Sequence, residues 1–90
     1  MTIEQVWARI RAHAGKSFHQ IRGGEFTYDV ERDYVNLHRT NRKIPKSDFE
    51  KALALFPLRD TTAVQHLQGP SYIYAILMDE RITGPGERGR

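Results

Sequence analysis

The chain has 90 residues, of which 39% are hydrophobic, 10% are aromatic and 28% are charged, and its formal net charge is +3. This length accommodates one domain, and the composition is too apolar and too aromatic for a disordered protein. The sequence contains no cysteine, which excludes disulfides, cysteine-ligated zinc or iron–sulfur centres and thiol catalysis.

The first predicted element is an amphipathic helix that begins after Thr2. Thr2 and Gln5 have the spacing of a capping box, and Gly15 is suited to the left-handed position that ends a helix. Between them, apolar residues recur on one helical face, and Trp7 on that face is predicted to lie in the core. The members of this face are Ile3, Val6, Trp7, Ile10 and Ala14. The residues predicted to face solvent include Arg9, Arg11 and His13.

Three strands are predicted next. Residues 18–21 lead into Gly23 and Gly24, a pair suited to a tight hairpin turn. Alternating apolar and polar residues then predict strands over residues 26–30 and 34–39. We expect these three segments to form an antiparallel meander.

A polar, basic loop at residues 40–46 precedes a second predicted helix. Ser47 and Glu50 have capping-box spacing, which predicts Ser47 as the N-cap of this helix. Pro57 disfavours helical geometry at the residue before it and is predicted to end the helix.

The remaining segments complete an α+β fold. β-Branched residues predict a short strand over residues 61–67, and a Gly-Pro-Ser start favours a helix over residues 72–82. Residues 83–90 offer no apolar side chain for burial, so we expect a disordered tail after a single domain at residues 1–82. The predicted order is α-β-β-β-α-β-α, with the helices on one face of a small antiparallel sheet.

Positive charge is concentrated in the first half of the chain. Residues 1–46 carry nine Lys and Arg against five Asp and Glu, whereas residues 47–90 carry five against six. Residues 38–46 contain no acid and precede a predicted helix start, where free backbone N–H groups favour an anion. The residues predicted here to contact nucleic acid are Arg39, Asn41, Arg42, Lys43 and Lys46. A second acid-free stretch, which would extend this site if both reach one face, contributes Arg9, Arg11, Lys16 and Arg22.

These charges favour a nucleic-acid-binding accessory module. The alternative is a protein-interaction module whose partner is acidic, and a solvated basic face explains the composition equally well. An enzyme is the least favoured class, because no nucleophile elbow, His-x-x-x-His spacing or converging set of carboxylates is present. The sequence therefore predicts no catalytic residue, no cofactor and no metal site.

The sequence also favours a cytoplasmic location. The N-terminus lacks the pattern of a signal peptide, and small secreted domains usually depend on disulfides, which this chain cannot form. The longest apolar run, residues 72–78, falls well short of the roughly 20 residues that a membrane helix needs, so we expect no membrane association.

Overall fold

Helix α1, Ile3–Ala12, begins the fold with the predicted capping box. In the computed structural model, which describes residues 1–84, the Thr2 hydroxyl accepts the Gln5 N–H at 3.2 Å. The Gln5 side-chain oxygen accepts the Thr2 N–H at 3.0 Å. Trp7 is only 4% exposed, which confirms the predicted buried face of the helix.

Within residues 1–84, five short strands form two antiparallel sheets. Strands β1 (Phe18–His19) and β2 (Glu25–Phe26) make a hairpin. Strands β3 (Tyr28–Glu31), β4 (Tyr34–Leu37) and β5 (Lys43–Pro45) make a meander in that order. Strands are present in all three predicted segments, but the single strand predicted over residues 26–30 is divided between β2 and β3, which belong to different sheets. The predicted first strand therefore lies outside the meander, whose third strand comes from the segment predicted as a basic loop.

Strand β5 forms because one apolar side chain in that segment reaches the core. Ile44 is fully buried and pairs with Val35 of β4. Lys43, the residue before it, is exposed and pairs with Asn36. A single apolar residue among polar neighbours gives no alternation over several residues, so the pattern in the sequence did not reveal this strand.

Helix α2, Lys46–Leu53, is not capped by Ser47, so that prediction is wrong. The N-cap is Pro45, and Ser47 is an exposed residue of the first turn. The chain remains extended through β5 up to Pro45, which moves the helix start ahead of Ser47. The Lys46 N–H donates to the carbonyl oxygen of Asp33 at 2.7 Å, so the β3–β4 turn satisfies one donor of the helix start.

The predicted strand over residues 61–67 is also wrong, because Thr61–Val64 is a short 3-10 helix. The Asp60 carboxylate accepts the Thr62 N–H at 2.9 Å and caps this turn. Such a local bond to an Asp side chain competes with extended structure. Val64 and Leu67 are buried three residues apart, a spacing that suits a turn and not a strand.

The predicted C-terminal helix is confirmed, in two parts. Helix α3, Pro70–Leu77, begins after Gly69, whose φ is +57°. Helix α4, Glu80–Thr83, is capped by Asp79, whose carboxylate accepts the Arg81 N–H at 2.9 Å. Thr83, the first residue of the predicted tail, thus belongs to a helix. The rest of that tail from residue 85 to residue 90 lies outside the described part of the chain.

Helices combined with small antiparallel sheets confirm the α+β class. Helix α1 contacts β3, helix α2 contacts β5, and helix α3 contacts β1, so these three helices cover different parts of the strands, while helix α4 packs on α1 and α3. Phe18 is central to the core, with ring centroids 5.3 Å from Tyr28 and 6.0 Å from Phe26. Across residues 1–84, every helix is too short or too polar to cross a membrane.

Candidate nucleic-acid interface

Three of the predicted contact residues are engaged in holding the fold together. Arg9 Nη1 donates to the carbonyl oxygen of Ile82 at 3.0 Å, which links α1 to α4. Arg11 Nη2 donates to the carbonyl oxygen of Arg32 at 3.1 Å, which links α1 to the β3–β4 turn. The Lys46 ammonium lies 3.2 Å from a carboxylate oxygen of Glu4.

The start of α2, predicted as an anion site, has an acidic surrounding. It borders an open cavity of about 440 Å³ whose lining includes three acids, Glu4, Asp33 and Glu50, and two cations, Arg32 and Lys46. Carboxylates this near a helix start oppose the approach of a further anion. The surroundings of α2 therefore do not favour a phosphate at Lys46.

Arg39 and Arg42 lie on the loop that joins β4 to β5. The Leu37 N–H donates to the carbonyl oxygen of Arg42 at 3.1 Å, which closes the loop across the hairpin. The Arg42 N–H donates to the Thr40 hydroxyl oxygen at 3.0 Å. These hydrogen bonds fix the backbone of the loop, and they therefore fix the positions from which its side chains extend.

Both guanidinium groups of this loop are held by neutral amide oxygens. Arg39 Nη1 lies 3.2 Å from Gln20 Oε1, and it also donates to the carbonyl oxygen of Glu25 at 3.3 Å. Arg42 Nη1 lies 3.4 Å from Gln68 Oε1. Within residues 1–84 no carboxylate forms an ion pair with either arginine. Within the described residues, neither guanidinium is therefore neutralised by direct contact with a carboxylate, although Glu25 lines the same cavity as Arg39.

Arg22, in the β1–β2 turn, lies next to the same polar network. The Gln20 amide that accepts from Arg39 also donates to the Ser71 hydroxyl oxygen at 2.6 Å. Gln20, Arg22 and Ser71 together line an open cavity of about 510 Å³. One acid, Asp60, lines this cavity as well.

The segment between Gln68 and Ser71 brings these groups together. A Cβ added at Gly69 would lie 3.2 Å from Arg42 Cδ, so the aliphatic part of Arg42 packs on the backbone there. We call the surface formed by Arg22, Arg39 and Arg42 around this segment the arginine corner. Of the second basic stretch predicted from the sequence, Arg22 lines a cavity with Gln20, whose side chain in turn contacts Arg39 of the 38–46 segment.

The other predicted contact residues lie outside the arginine corner or at its edge. Asn41 is exposed between the two arginines of the loop, and Lys16 is exposed after α1. The Lys43 ammonium lies 3.6 Å from a carboxylate oxygen of Glu31, on the outer face of the meander. This face carries paired charges of both signs and differs in that respect from the arginine corner.

Sequence reasoning missed the glutamines that position the arginines. Gln20 and Ser71 are 51 residues apart, and Gln68 and Arg42 are 26 apart. No periodicity or spacing rule connects polar residues over such distances. The one available signal was the Gly-Pro-Ser helix start at residues 69–71, which marks where the backbone turns beside Arg42.

Within residues 1–84, no group of three His, Asp or Glu side chains is arranged to hold a metal ion. Comparisons of the chain with known protein families, curated proteins and solved structures found no match.

Proposed function

We propose that this domain binds nucleic acid through the arginine corner. The observation that carries the proposal is the pairing of Arg39 and Arg42 with neutral glutamine oxygens in place of carboxylates. Each guanidinium keeps its full charge, and its five N–H donors exceed the bonds that the protein uses. Such a group can bind a phosphate with two parallel hydrogen bonds.

The amide contacts also prepare the arginines for binding. A free arginine side chain loses rotational freedom when it binds a ligand, at a cost of about 0.5–1.5 kcal/mol. Gln20 and Gln68 restrain Arg39 and Arg42 before any partner arrives. They do so without the charge neutralisation that Asp or Glu would bring, so affinity for an anion is retained.

Asn41 is the candidate for base recognition. It is exposed in the loop between Arg39 and Arg42, at one end of the three-stranded β3–β4–β5 sheet. An Asn side chain that reaches the major groove can bind adenine there with two hydrogen bonds. Phosphate contacts by the arginines would set the position of the loop, and Asn41 would supply sequence preference.

The proposal is tested by titrating fluorescently labelled short DNA duplexes with the wild-type protein, Arg39→Gln and Arg42→Gln. Arg32→Gln is the matched control, because it removes one charge at the opposite end of the β3–β4 hairpin. The titrations are run near 0.15 M salt, where charges more than about 8 Å apart are largely screened.

Each arginine-corner variant should bind about tenfold more weakly, which corresponds to about 1.4 kcal/mol, and the control should differ less than about twofold from wild type. Equal weakening by all three substitutions would refute a defined site. Binding of polyglutamate in preference to duplex DNA would assign the arginine corner to an acidic protein partner instead.

A further inference from the structure

Thr27, His38 and Asp29 form a hydrogen-bonded chain beside the arginine corner. Thr27 Oγ1 lies 2.7 Å from His38 Nδ1, and His38 Nε2 lies 2.8 Å from Asp29 Oδ2. The backbone fixes this arrangement, since the His38 N–H donates to the carbonyl oxygen of Thr27 at 3.1 Å. A hydroxyl, an imidazole and a carboxylate are thus aligned in the order found in hydrolytic triads.

The carboxylate determines which ring nitrogen of His38 carries the proton. The ionised Asp29 carboxylate accepts a hydrogen bond, so the ring proton resides on Nε2 and the Nδ1 lone pair faces the Thr27 hydroxyl. The His38 hydrogen bond lowers the pKa of Asp29, and Asn36 and Lys43 lower it further. Asp29 therefore stays ionised at neutral pH. His38 Nδ1 is positioned as a general base for Thr27, with the two nitrogens exchanged relative to the usual triad.

An open cavity gives a substrate access to this chain. It has a volume of about 330 Å³, and Thr27, His38 and Arg39 line it together with Glu25. The Ser17 hydroxyl donates to the Glu25 carboxylate. Arg39 supplies a cation on the same cavity wall as Thr27, where it can stabilise negative charge that develops on a carbonyl oxygen.

We propose that Thr27, His38 and Asp29 form a hydrolytic triad that cleaves small activated carboxylic esters. This activity goes beyond nucleic-acid binding and does not depend on it. Thr27 is the nucleophile, His38 transfers the proton, and Asp29 orients the imidazole. The cavity accommodates an acyl group of a few carbon atoms.

Acylation comes first. Thr27 Oγ attacks the carbonyl carbon of the ester while its proton passes to His38 Nδ1. The bond from the carbonyl carbon to the leaving oxygen breaks, and that oxygen takes the proton from His38. The products of this step are an alcohol and an acyl ester on Thr27.

Hydrolysis then restores the free enzyme. A water molecule attacks the acyl carbon and gives one proton to His38 Nδ1. The bond between the acyl carbon and Thr27 Oγ breaks, and Thr27 Oγ takes that proton back. The net reaction converts ester and water into a carboxylic acid and an alcohol.

The solvent exposure of the triad determines how much His38 is expected to accelerate ester hydrolysis. The His38 and Asp29 side chains are 45% and 51% exposed, so water competes for their hydrogen bonds. General-base catalysis contributes about 10² to 10⁴-fold in rate, and an exposed site belongs at the lower end. We therefore expect His38→Gln to lower the rate of ester hydrolysis about 100-fold.

The test uses p-nitrophenyl acetate, with p-nitrophenolate release and the mass of the intact protein as readouts. Thr27→Val should abolish acetylation at residue 27, His38→Gln should lower its rate about 100-fold, and Asp29→Asn should lower it at least about tenfold. Thr27→Ser keeps the hydroxyl and should retain acetylation. His19→Gln and Thr62→Val serve as controls, because both residues are exposed and lie outside the triad.

Peptide mapping of the wild-type protein should place the acetyl group on Thr27. Acetylation confined to a lysine or to His38 would overturn the proposal. A Thr27→Val protein that hydrolyses the ester at the wild-type rate would also overturn it. These readouts do not involve nucleic acid, so failure here is separate from failure of the proposed binding function.

Discussion

The hydroxyl of Tyr28 on β3 donates a 2.7 Å hydrogen bond to the carbonyl oxygen of Ile10 near the end of α1. Both residues are fully buried, so this bond connects helix and sheet within the core. Burial raises the pKa of Tyr28 far above its usual value, and the hydroxyl stays protonated. The bond satisfies a carbonyl group at the end of the helix, where such acceptors otherwise lack partners.

Tyr28→Phe should destabilise the domain by about 1–3 kcal/mol, because the Ile10 carbonyl loses a buried donor. Urea denaturation at pH 7 measures this difference. Since the pKa is raised in the folded state, the contribution of Tyr28 is complete below about pH 10 and declines as the pH rises further. A variant as stable as wild type would mean that the bond contributes nothing.

Asp48→Ala should destabilise the domain more than Ser47→Ala, although the two residues are adjacent in α2. The buried Asp48 carboxylate accepts the Gln68 N–H at 3.0 Å and joins α2 to the segment before α3. Its removal leaves that N–H unpaired, at a cost of about 1–3 kcal/mol. Ser47 is exposed and does not cap the helix, so its replacement should change stability by less than about 0.5 kcal/mol. Thermal melts compare the pair, and equal losses would contradict the assigned helix start.

Asp79→Asn should lower stability at pH 7 and have no effect in strong acid. Arg81 donates to the Asp79 carboxylate through Nε and Nη2, each at 2.9 Å, and these bonds lower the pKa of Asp79. The stabilisation is present above about pH 3.9, the pKa of Asp in the unfolded chain. It is lost as the pH falls through the lower pKa of Asp79 in the folded protein. Asn can still cap α4, which limits the cost to about 1 kcal/mol.

The exposed neighbour Glu80 provides the control for this pH dependence. Chemical denaturation between pH 2 and 7 measures the free energy of unfolding of wild type and of Asp79→Asn. The difference between the two should become smaller below about pH 4. Glu80→Gln should show no such closing gap. A constant difference at every pH would argue that charge is not involved.

Trp7→Ala should cost about 3–5 kcal/mol, and Trp7→Phe should cost clearly less. The ring is 4% exposed and lies 5.8 Å from the Phe49 ring, between α1 and α2. Its Nε1–H is buried and makes no hydrogen bond within the described residues, so Phe keeps most of the packing and removes an unpaired donor. Calorimetry of both variants measures the two costs, and near-wild-type melting of Trp7→Ala would place the ring outside the core.

The sequence predicted best the elements whose signals are local. The capping box of α1 involves Thr2 and Gln5, three residues apart, and the structure contains it as predicted. Ser47 and Glu50 have the same spacing, but strand pairing extends the chain up to Pro45 and moves the helix start. A long-range contact thus overrode a local pattern.

In the candidate site, too, local signals were visible in the sequence and long-range contacts were not. Arg39, Arg42 and Asn41 were recognisable from an acid-free basic run in the sequence. The glutamines that hydrogen-bond to these arginines are Gln20, from the β1–β2 hairpin, and Gln68, from the chain before α3. Only the folded structure brings them close to Arg39 and Arg42. Lys46 was predicted with the same run, but the fold pairs it with an acid of α1.

The salt dependence of duplex binding tests the proposed interface most directly. If Arg22, Arg39 and Arg42 each neutralise one phosphate, the log–log slope of affinity against salt should be about −2.7. The double variant Arg39→Gln/Arg42→Gln should flatten the slope to about −0.9, whereas Arg32→Gln should leave it unchanged. A double variant with the wild-type slope would contradict nucleic-acid binding at the arginine corner.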